Sequence, residues 1–170
     1  MKRDVIALAA VVLMTLAGPV SAADWHEQQQ IQRVRKVFVQ LEKAYEEEDI
    51  DLFLACFEPC ITSVDVPRNT MDIFTAAESR AELEMVFAML DGIEMDFLDL
   101  KIAVEGGAAM ASTVRRGAAP GSPVIYVKMV YTLRLGPDGA WRIDGDVILD
   151  EWQEFGAGTT GAGEQGSKLF

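Results

Sequence analysis

The sequence has one histidine, His26, and two cysteines among its 170 residues. Catalysis by a Ser–His–Asp or Cys–His arrangement needs a histidine beside the nucleophile. His26 lies near the start of the chain, just before the first predicted helix, and offers no such arrangement. Metal sites built from several histidines are excluded as well. We therefore predict no metal site.

Basic residues are also scarce, with 15 Lys and Arg against 27 Asp and Glu, and the net charge is −12. A negative surface repels phosphate groups, so nucleic acid and anionic membranes are not expected partners. No glycine-rich phosphate loop follows a predicted strand, and no G-x-S-x-G motif occurs. The sequence thus indicates no cofactor and no serine-hydrolase chemistry.

Long apolar runs are absent except for Val5–Leu16 near the N-terminus. Lys2 and Arg3 precede this run, and Val20-Ser21-Ala22 fits the small-x-small rule for signal-peptide cleavage. A membrane anchor is the alternative, but roughly 20 apolar residues are needed to span a bilayer. We predict an exported, periplasmic or secreted protein with no membrane span after cleavage.

These features predict three segments: a signal peptide at residues 1–22, one domain at 23–153, and a disordered, glycine-rich tail at 154–170. About 130 residues suit one domain with one core.

The first half of this domain has helical periodicity. Residues 24–48 predict a long amphipathic helix, and Asp49 is placed to cap a short second helix that ends by Pro59. Thr75 and Glu78 form a capping-box pattern at the start of a third helix that continues to Leu90.

The second half has strand patterns. We predict a short strand at Cys60–Val66, a loop at Pro67–Thr75, and longer strands at Ile93–Glu105 and Ala108–Arg116, with Leu98, Leu100, Ile102 and Val104 on one face of the former. Val124–Asp146 then forms a hairpin around Gly136-Pro137-Asp138-Gly139. Helices followed by antiparallel strands predict an α+β fold.

The ordered set of motifs resembles the nuclear-transport-factor-2-like superfamily, also called SnoaL-like or cystatin-like α+β cone. The resemblance rests on Glu48–Phe57 at the junction of the first two helices, Ala77–Leu83 in the third helix, and Val130–Leu135 with Gly139–Ile143 in the closing hairpin. It implies three helices packed on a curled antiparallel sheet around a central cavity. The superfamily includes isomerases, cyclases, dehydratases and binding domains, so the fold does not specify the function.

The resemblance also implies a candidate catalytic residue on the last strand. Catalytic relatives carry a Trp-(Lys/Arg)-Ile-x-x-Asp-His arrangement, which aligns with Trp141–Val147. Asp146 retains the acidic position, whereas Val147 replaces the histidine. Strict alternation predicts that Asp146 lies on the face opposite Ile143, either as a pocket acid or as an outward-facing charge.

Five further residues are candidates for ligand binding because they are aromatic or adaptable apolar side chains of the predicted cavity: Tyr45, Phe87, Met129, Tyr131 and Trp141. Tyr45 is alternatively a core tyrosine.

Asp65 is a second candidate acid, alternatively paired with Arg68 to stabilise a loop. Cys56 and Cys60 are either a disulfide or two separate thiols.

The favoured function is an exported, non-catalytic domain that binds a small apolar ligand or a protein partner. The first alternative is a cofactor-independent isomerase, cyclase or dehydratase that uses Asp146 or Asp65. The second is a structural dimerisation module. We also expect a homodimer formed through the outer sheet face, where Val124, Tyr126, Val130 and Ala140 are partly apolar.

Overall fold

The computed structural model describes residues 22–90 and 92–154. The predicted signal peptide, apart from Ala22, and the predicted tail beyond Glu154 lie outside the described residues.

Three helices of the described residues precede most of the sheet. Helix α1 spans Ala22–Glu46, α2 spans Ile50–Ala55 and α3 spans Ala76–Met89. The predicted caps are present: Asp49 accepts a hydrogen bond from the Leu52 amide, and Thr75 and Glu78 form a complete capping box. None of the described helices is long and apolar enough to cross a membrane.

The strands form one sheet. They are β1 (Phe57–Asp65), β2 (Thr70–Thr75), β3 (Glu94–Glu105), β4 (Ala108–Ala118), β5 (Val124–Leu135) and β6 (Trp141–Glu154). Their order across the sheet is β2-β1-β6-β5-β4-β3. Strands β1 and β6 are parallel, and the other neighbouring pairs are antiparallel. The α+β architecture predicted from the sequence is confirmed.

One predicted loop is in fact a strand. Most of Pro67–Thr75 belongs to β2, which pairs with β1 from Thr70 to Thr75. Because β2 is an edge strand, its apolar residues Met71 and Ile73 are exposed, and the segment lacks the burial pattern typical of a strand. The first strand also begins at Phe57, and Pro59 lies inside it rather than at the end of a helix.

The sheet is interrupted by β-bulges, each of which adds one residue to one strand of a pair. In β3, Asp99 and Leu100 lie opposite Thr113 of β4. In β6, Asp144 is the extra residue between the pairs Leu133–Ile143 and Thr132–Gly145. A third bulge, at Leu149, lies further along β6.

A bulge reverses the alternation of side chains beyond it. The prediction that Leu98 shares a face with Leu100 is therefore wrong: Leu98 is 40% exposed, whereas Leu100, Ile102 and Val104 pack on the core.

The core lies between α1 and the concave face of the sheet. Its central residues come from α1 and from inward positions of β4, β5 and β6: Val34, Val37, Phe38, Leu41, Ala109, Ala111, Val127, Met129, Tyr131, Leu133, Trp141 and Ile143. Phe38 makes edge-to-face contacts with both Phe97 and Tyr131. This core fills one end of the cone and leaves space at the other, beneath α3.

Candidate functional site

The space beneath α3 is a cavity of about 250 Å³, which we call the cone cavity. Most of its lining is apolar, and six residues contribute polar groups. The lining residues are Leu41, Tyr45, Phe53, Phe57, Ile61, Phe74, Ser79, Glu82, Leu83, Val86, Phe97, Arg115, Tyr131 and Asp146. Apolar walls with a few convergent polar groups are typical of small-molecule sites.

Asp146 lines this cavity from β6. It lies opposite Tyr131 of β5, and residues that face each other across a strand pair share a face of the sheet. The prediction that Asp146 and Ile143 occupy opposite faces is wrong, because the bulge at Asp144 brings both to the inner face. Asp144 itself forms an ion pair with Arg134, with 3.1 Å between the nitrogen and the carboxylate oxygen.

Among the described residues, the Asp146 carboxyl group has one direct hydrogen-bond donor. The Ser63 hydroxyl donates to Asp146 Oδ1 over 2.7 Å. Burial raises the pKa of Asp146 above its ordinary value, while the Ser63 hydrogen bond and the charge of Arg115 lower it; burial is the largest effect. Asp146 thus retains its proton to higher pH than an exposed aspartate does.

Two tyrosines line the same cavity. Tyr131 is 3% exposed, and burial strongly raises the pKa of its phenol. Burial also raises the pKa of Tyr45, which packs edge-to-face against Phe53 and Phe87. Both phenols remain protonated at neutral pH, so both are available as hydrogen-bond donors.

Arg115 is one of the site residues that sequence reasoning missed. Along β4, Ala109, Ala111 and Thr113 are buried at alternate positions, and Arg115 continues this series. This alternation predicts an inward-facing arginine, which the sequence analysis did not single out. Ser63, which also went unnoticed, is opposite Asp146 in the parallel pairing of β1 with β6.

Three predicted ligand-binding residues lie outside the cavity lining. Trp141 is 5% exposed and donates from Nε1 to Gln30 Oε1 of α1 over 2.9 Å. Met129 is buried in the core. Phe87 contacts Tyr45 but does not itself line the cavity. Only Tyr45 and Tyr131 of the five candidates reach it.

Asp65, the second candidate acid, lies away from the cavity at the turn between β1 and β2. It accepts hydrogen bonds from the backbone amide and the guanidinium of Arg68, which lower its pKa. Arg68 also contacts Glu151 over 3.1 Å. This is the loop-stabilising pair that the sequence offered as the alternative to catalysis.

The two cysteines are separate thiols in this structure. Cys56 ends α2 and is buried, and its thiol contacts the carbonyl oxygen of Leu52 at 3.4 Å. Cys60 is exposed on β1. The extended backbone from Phe57 to Cys60 covers about 10 Å at roughly 3.3 Å per residue, beyond the ~7 Å Cα separation that a disulfide tolerates.

Within residues 22–90 and 92–154, no group of three or more His, Cys, Asp or Glu side chains is arranged to hold a metal ion. The polar groups of the cone cavity can instead bind an organic molecule through oxygen atoms. Asp146 can accept or donate a proton, and Arg115 with the two tyrosines can stabilise a negative oxygen.

A scan against protein-family models found no match, and neither did a search of curated proteins. Solved structures do match. A protein from Kribbella flavida, Kfla4162, superimposes with a TM-score of 0.63 at 14% identity, covering 75% of this chain and 94% of that one.

Two further structures carry a proposed activity in their names. A proposed dehydratase of the NTF2-like family from Streptomyces avermitilis has a TM-score of 0.57 at 16% identity, covering 72% of this chain and 96% of its own. A proposed ketosteroid isomerase from Shewanella frigidimarina has a TM-score of 0.56 at 13% identity, covering 69% and 94%. Identities this low establish the fold alone. The chain has the NTF2-like fold, the cystatin-like α+β cone that its sequence resembles.

Proposed function

We propose that this protein binds a small, largely apolar organic molecule in the cone cavity and holds an oxygen atom of that molecule with Arg115, Tyr45 and Tyr131. The observation that carries the proposal is the convergence of these donors with Asp146 on one cavity of about 250 Å³ whose other walls are mainly aromatic and aliphatic. A cone filled by side chains would instead have favoured a purely structural role.

Native mass spectrometry of the gently purified protein tests this proposal. We expect a retained small molecule that is absent from the Ser79→Phe variant, in which a larger side chain occupies the cavity. Ala81→Phe, at an exposed position on the same helix, is the matched control and should keep the ligand. Retention of the same ligand by both variants would place it outside the cone cavity and refute the proposal.

A second candidate function is acid–base catalysis without a cofactor. It is favoured by the position of Asp146 in the cavity, where burial raises the pKa of its carboxyl group above the ordinary value. In this scheme Asp146 removes a proton from a carbon next to a carbonyl group, and Arg115 and the tyrosines stabilise the resulting enolate oxygen. No histidine is needed.

Deuterium exchange distinguishes catalysis from binding. Small cyclic ketones in D₂O would be followed by proton NMR, and catalysis predicts protein-dependent loss of the signal from the carbon beside the carbonyl. Asp146→Asn should abolish this exchange, whereas Asp144→Asn, on the same strand but paired with Arg134, should not. Exchange that persists in Asp146→Asn would reject this role for Asp146.

We also propose that the protein is exported and cleaved after Ala22, supported by the order of basic residues, apolar run and Val20-Ser21-Ala22. N-terminal sequencing of the exported protein should begin at Ala23 or within one residue of it. An exported protein that retains Met1 would contradict this.

Self-association is the remaining proposal. The outer sheet face has exposed apolar groups, among them Met110 at 57% exposure and Trp152, which stacks on Tyr126 with ring centres 5.3 Å apart. Light scattering at micromolar concentration should give twice the chain mass. Met110→Lys should shift the mass towards the monomer, and a monomeric mass for the unaltered protein would refute the dimer.

A further inference from the structure

A second cavity adjoins the cone cavity. It has a volume of about 480 Å³ and lies between α3, the start of β3 and the segment that joins β4 to β5; we call it the side cavity. Its lining residues are Tyr45, Val86, Leu90, Ile93, Met95, Arg115, Gly117, Ala118, Ala119, Ser122, Pro123, Ile125 and Val127. Tyr45, Val86 and Arg115 line both cavities and therefore form the wall between them.

The two cavities differ in charge. The cone cavity contains two acidic residues, Asp146 and Glu82. The described lining of the side cavity contains no acidic residue, and its polar side chains are those of Arg115, Tyr45 and Ser122. The side cavity is thus an apolar space with one cation in its inner wall.

Arg115 lacks an ionic partner in the described part of the chain, since no carboxylate oxygen lies within 4.0 Å of its nitrogens. Its neighbour Arg116 contacts Asp96 at 2.6 Å and Glu94 at 3.5 Å. Arg115 is half-buried, and it has a hydrogen bond with Tyr131 and the weaker attraction of the more distant Asp146. Without an anion in direct contact, these replace only part of the hydration that the guanidinium loses. An anion from outside the chain would supply the missing partner.

We infer that the side cavity is a binding site for a monocarboxylate with an apolar tail. The carboxylate pairs with the planar guanidinium of Arg115, which suits a carboxylate in two-point contact, and it accepts a hydrogen bond from the Tyr45 phenol. The tail contacts Leu90, Ile93 and Met95. A single cation matches one negative charge, which favours a carboxylate over a doubly charged phosphate. This site shares Arg115 and Tyr45 with the proposed function, but its ligand lies on the other side of the wall that they form, so it does not require a ligand in the cone cavity.

Calorimetric titration with octanoate and with octanol tests the recognition of charge. We expect octanoate to bind at least about tenfold more tightly than octanol. Arg115→Gln should weaken octanoate binding by about 10- to 100-fold, the range that a charge-assisted hydrogen bond supplies. Arg116→Gln, the adjacent residue with its own acidic partners, should leave binding unchanged. Equal affinities for octanoate and octanol, or no octanoate binding at millimolar concentration, would overturn the inference.

Methyl NMR tests the location. Octanoate should shift the methyl signal of Met95, which lines only the side cavity, and leave that of Ile61, which lines the cone cavity, in place. Leu90→Asp adds a negative charge to the partly exposed side-cavity wall and should abolish binding, whereas Ser79→Phe should not. A shift confined to Ile61, or binding lost in Ser79→Phe alone, would place octanoate in the cone cavity and overturn the inference without refuting ligand binding there.

Discussion

Ser63 and Asp146 lie 83 positions apart in the sequence, yet the hydroxyl of one donates to the carboxylate of the other over 2.7 Å. They are directly opposite in the pairing of β1 with β6, the one parallel pair among the described strands. The ionisation of the cavity acid therefore depends on a strand from the first half of the domain.

Replacing Ser63 should make Asp146 a weaker acid. The hydroxyl hydrogen bond stabilises the ionised carboxylate and lowers its pKa. We expect Ser63→Ala to raise the pKa of Asp146, measured from the carboxyl carbon shift during an NMR titration. Thr62→Ala, at the exposed neighbouring position, is the control and should leave it unchanged. If the pKa of Asp146 is unchanged or lower in Ser63→Ala, the Ser63 hydrogen bond does not lower the pKa of Asp146.

Removing the charge of Asp146 should stabilise the fold at neutral pH. Because burial raises the folded-state pKa of Asp146 above its ordinary value, ionisation costs stability as the pH rises from that ordinary value through the folded-state pKa. Asp146→Asn should therefore melt at a higher temperature than the unaltered protein at pH 7, and the difference should disappear below about pH 4, the ordinary pKa of an aspartate. A lower melting temperature for the variant at pH 7 would contradict this. Functional sites often reduce the stability of the fold, so a gain in stability when a site residue is replaced is also expected if Asp146 has a function.

Gly145 is expected to tolerate no side chain. A Cβ atom there would lie 2.9 Å from the backbone oxygen of Thr62 and 3.1 Å from Thr132 Oγ1. Gly145→Ala should lower the free energy of unfolding by about 1–3 kcal/mol, the usual cost of overpacking, as measured by urea denaturation. It should also disturb the Ser63–Asp146 contact. Gly107→Ala, where the nearest side-chain atom is 4.0 Å away, should cost clearly less, and equal losses would refute the steric explanation.

Trp141 should contribute to stability and not to ligand binding. Trp141→Phe keeps an aromatic ring in the core but removes the hydrogen bond to Gln30. The free energy of unfolding should fall by more than about 1 kcal/mol, because one hydrogen bond is lost and the smaller ring leaves space in the core; cavity-ligand affinity should not change. Gln30→Ala should reproduce only the hydrogen-bond part, about 1 kcal/mol, and the double variant should lose about as much as Trp141→Phe alone. A large fall in affinity in Trp141→Phe would restore the ligand-binding role predicted from the sequence.

Local signals in the sequence were sufficient to predict where the second and third helices begin. Asp49, Thr75 and Glu78 mark helix starts through hydrogen bonds between residues three positions apart, so a short stretch of sequence contains the whole interaction. The long strands and the final hairpin followed from alternation and turn residues in the same way. The resemblance to the NTF2-like superfamily then predicted that these elements pack as a cone.

The candidate site was less predictable because it depends on pairing between distant segments. Which face Asp146 occupies is decided by the bulge at Asp144, and alternation has no means of locating a bulge. Arg115 could have been found from the buried series Ala109, Ala111 and Thr113. Ser63 could not, since its role arises only from its register with β6.

The bulge at Asp144 has a consequence for how such cavities diverge. Ile143 and Asp146 are separated by an odd number of positions, and they face the same interior only because one residue between them is extra. A related chain that gained or lost a residue in this interval, without moving the bulge, would present a different set of side chains to its ligand. A change in the length of this strand could therefore alter which ligands the cone cavity binds, even if none of the residues that line the cavity were substituted.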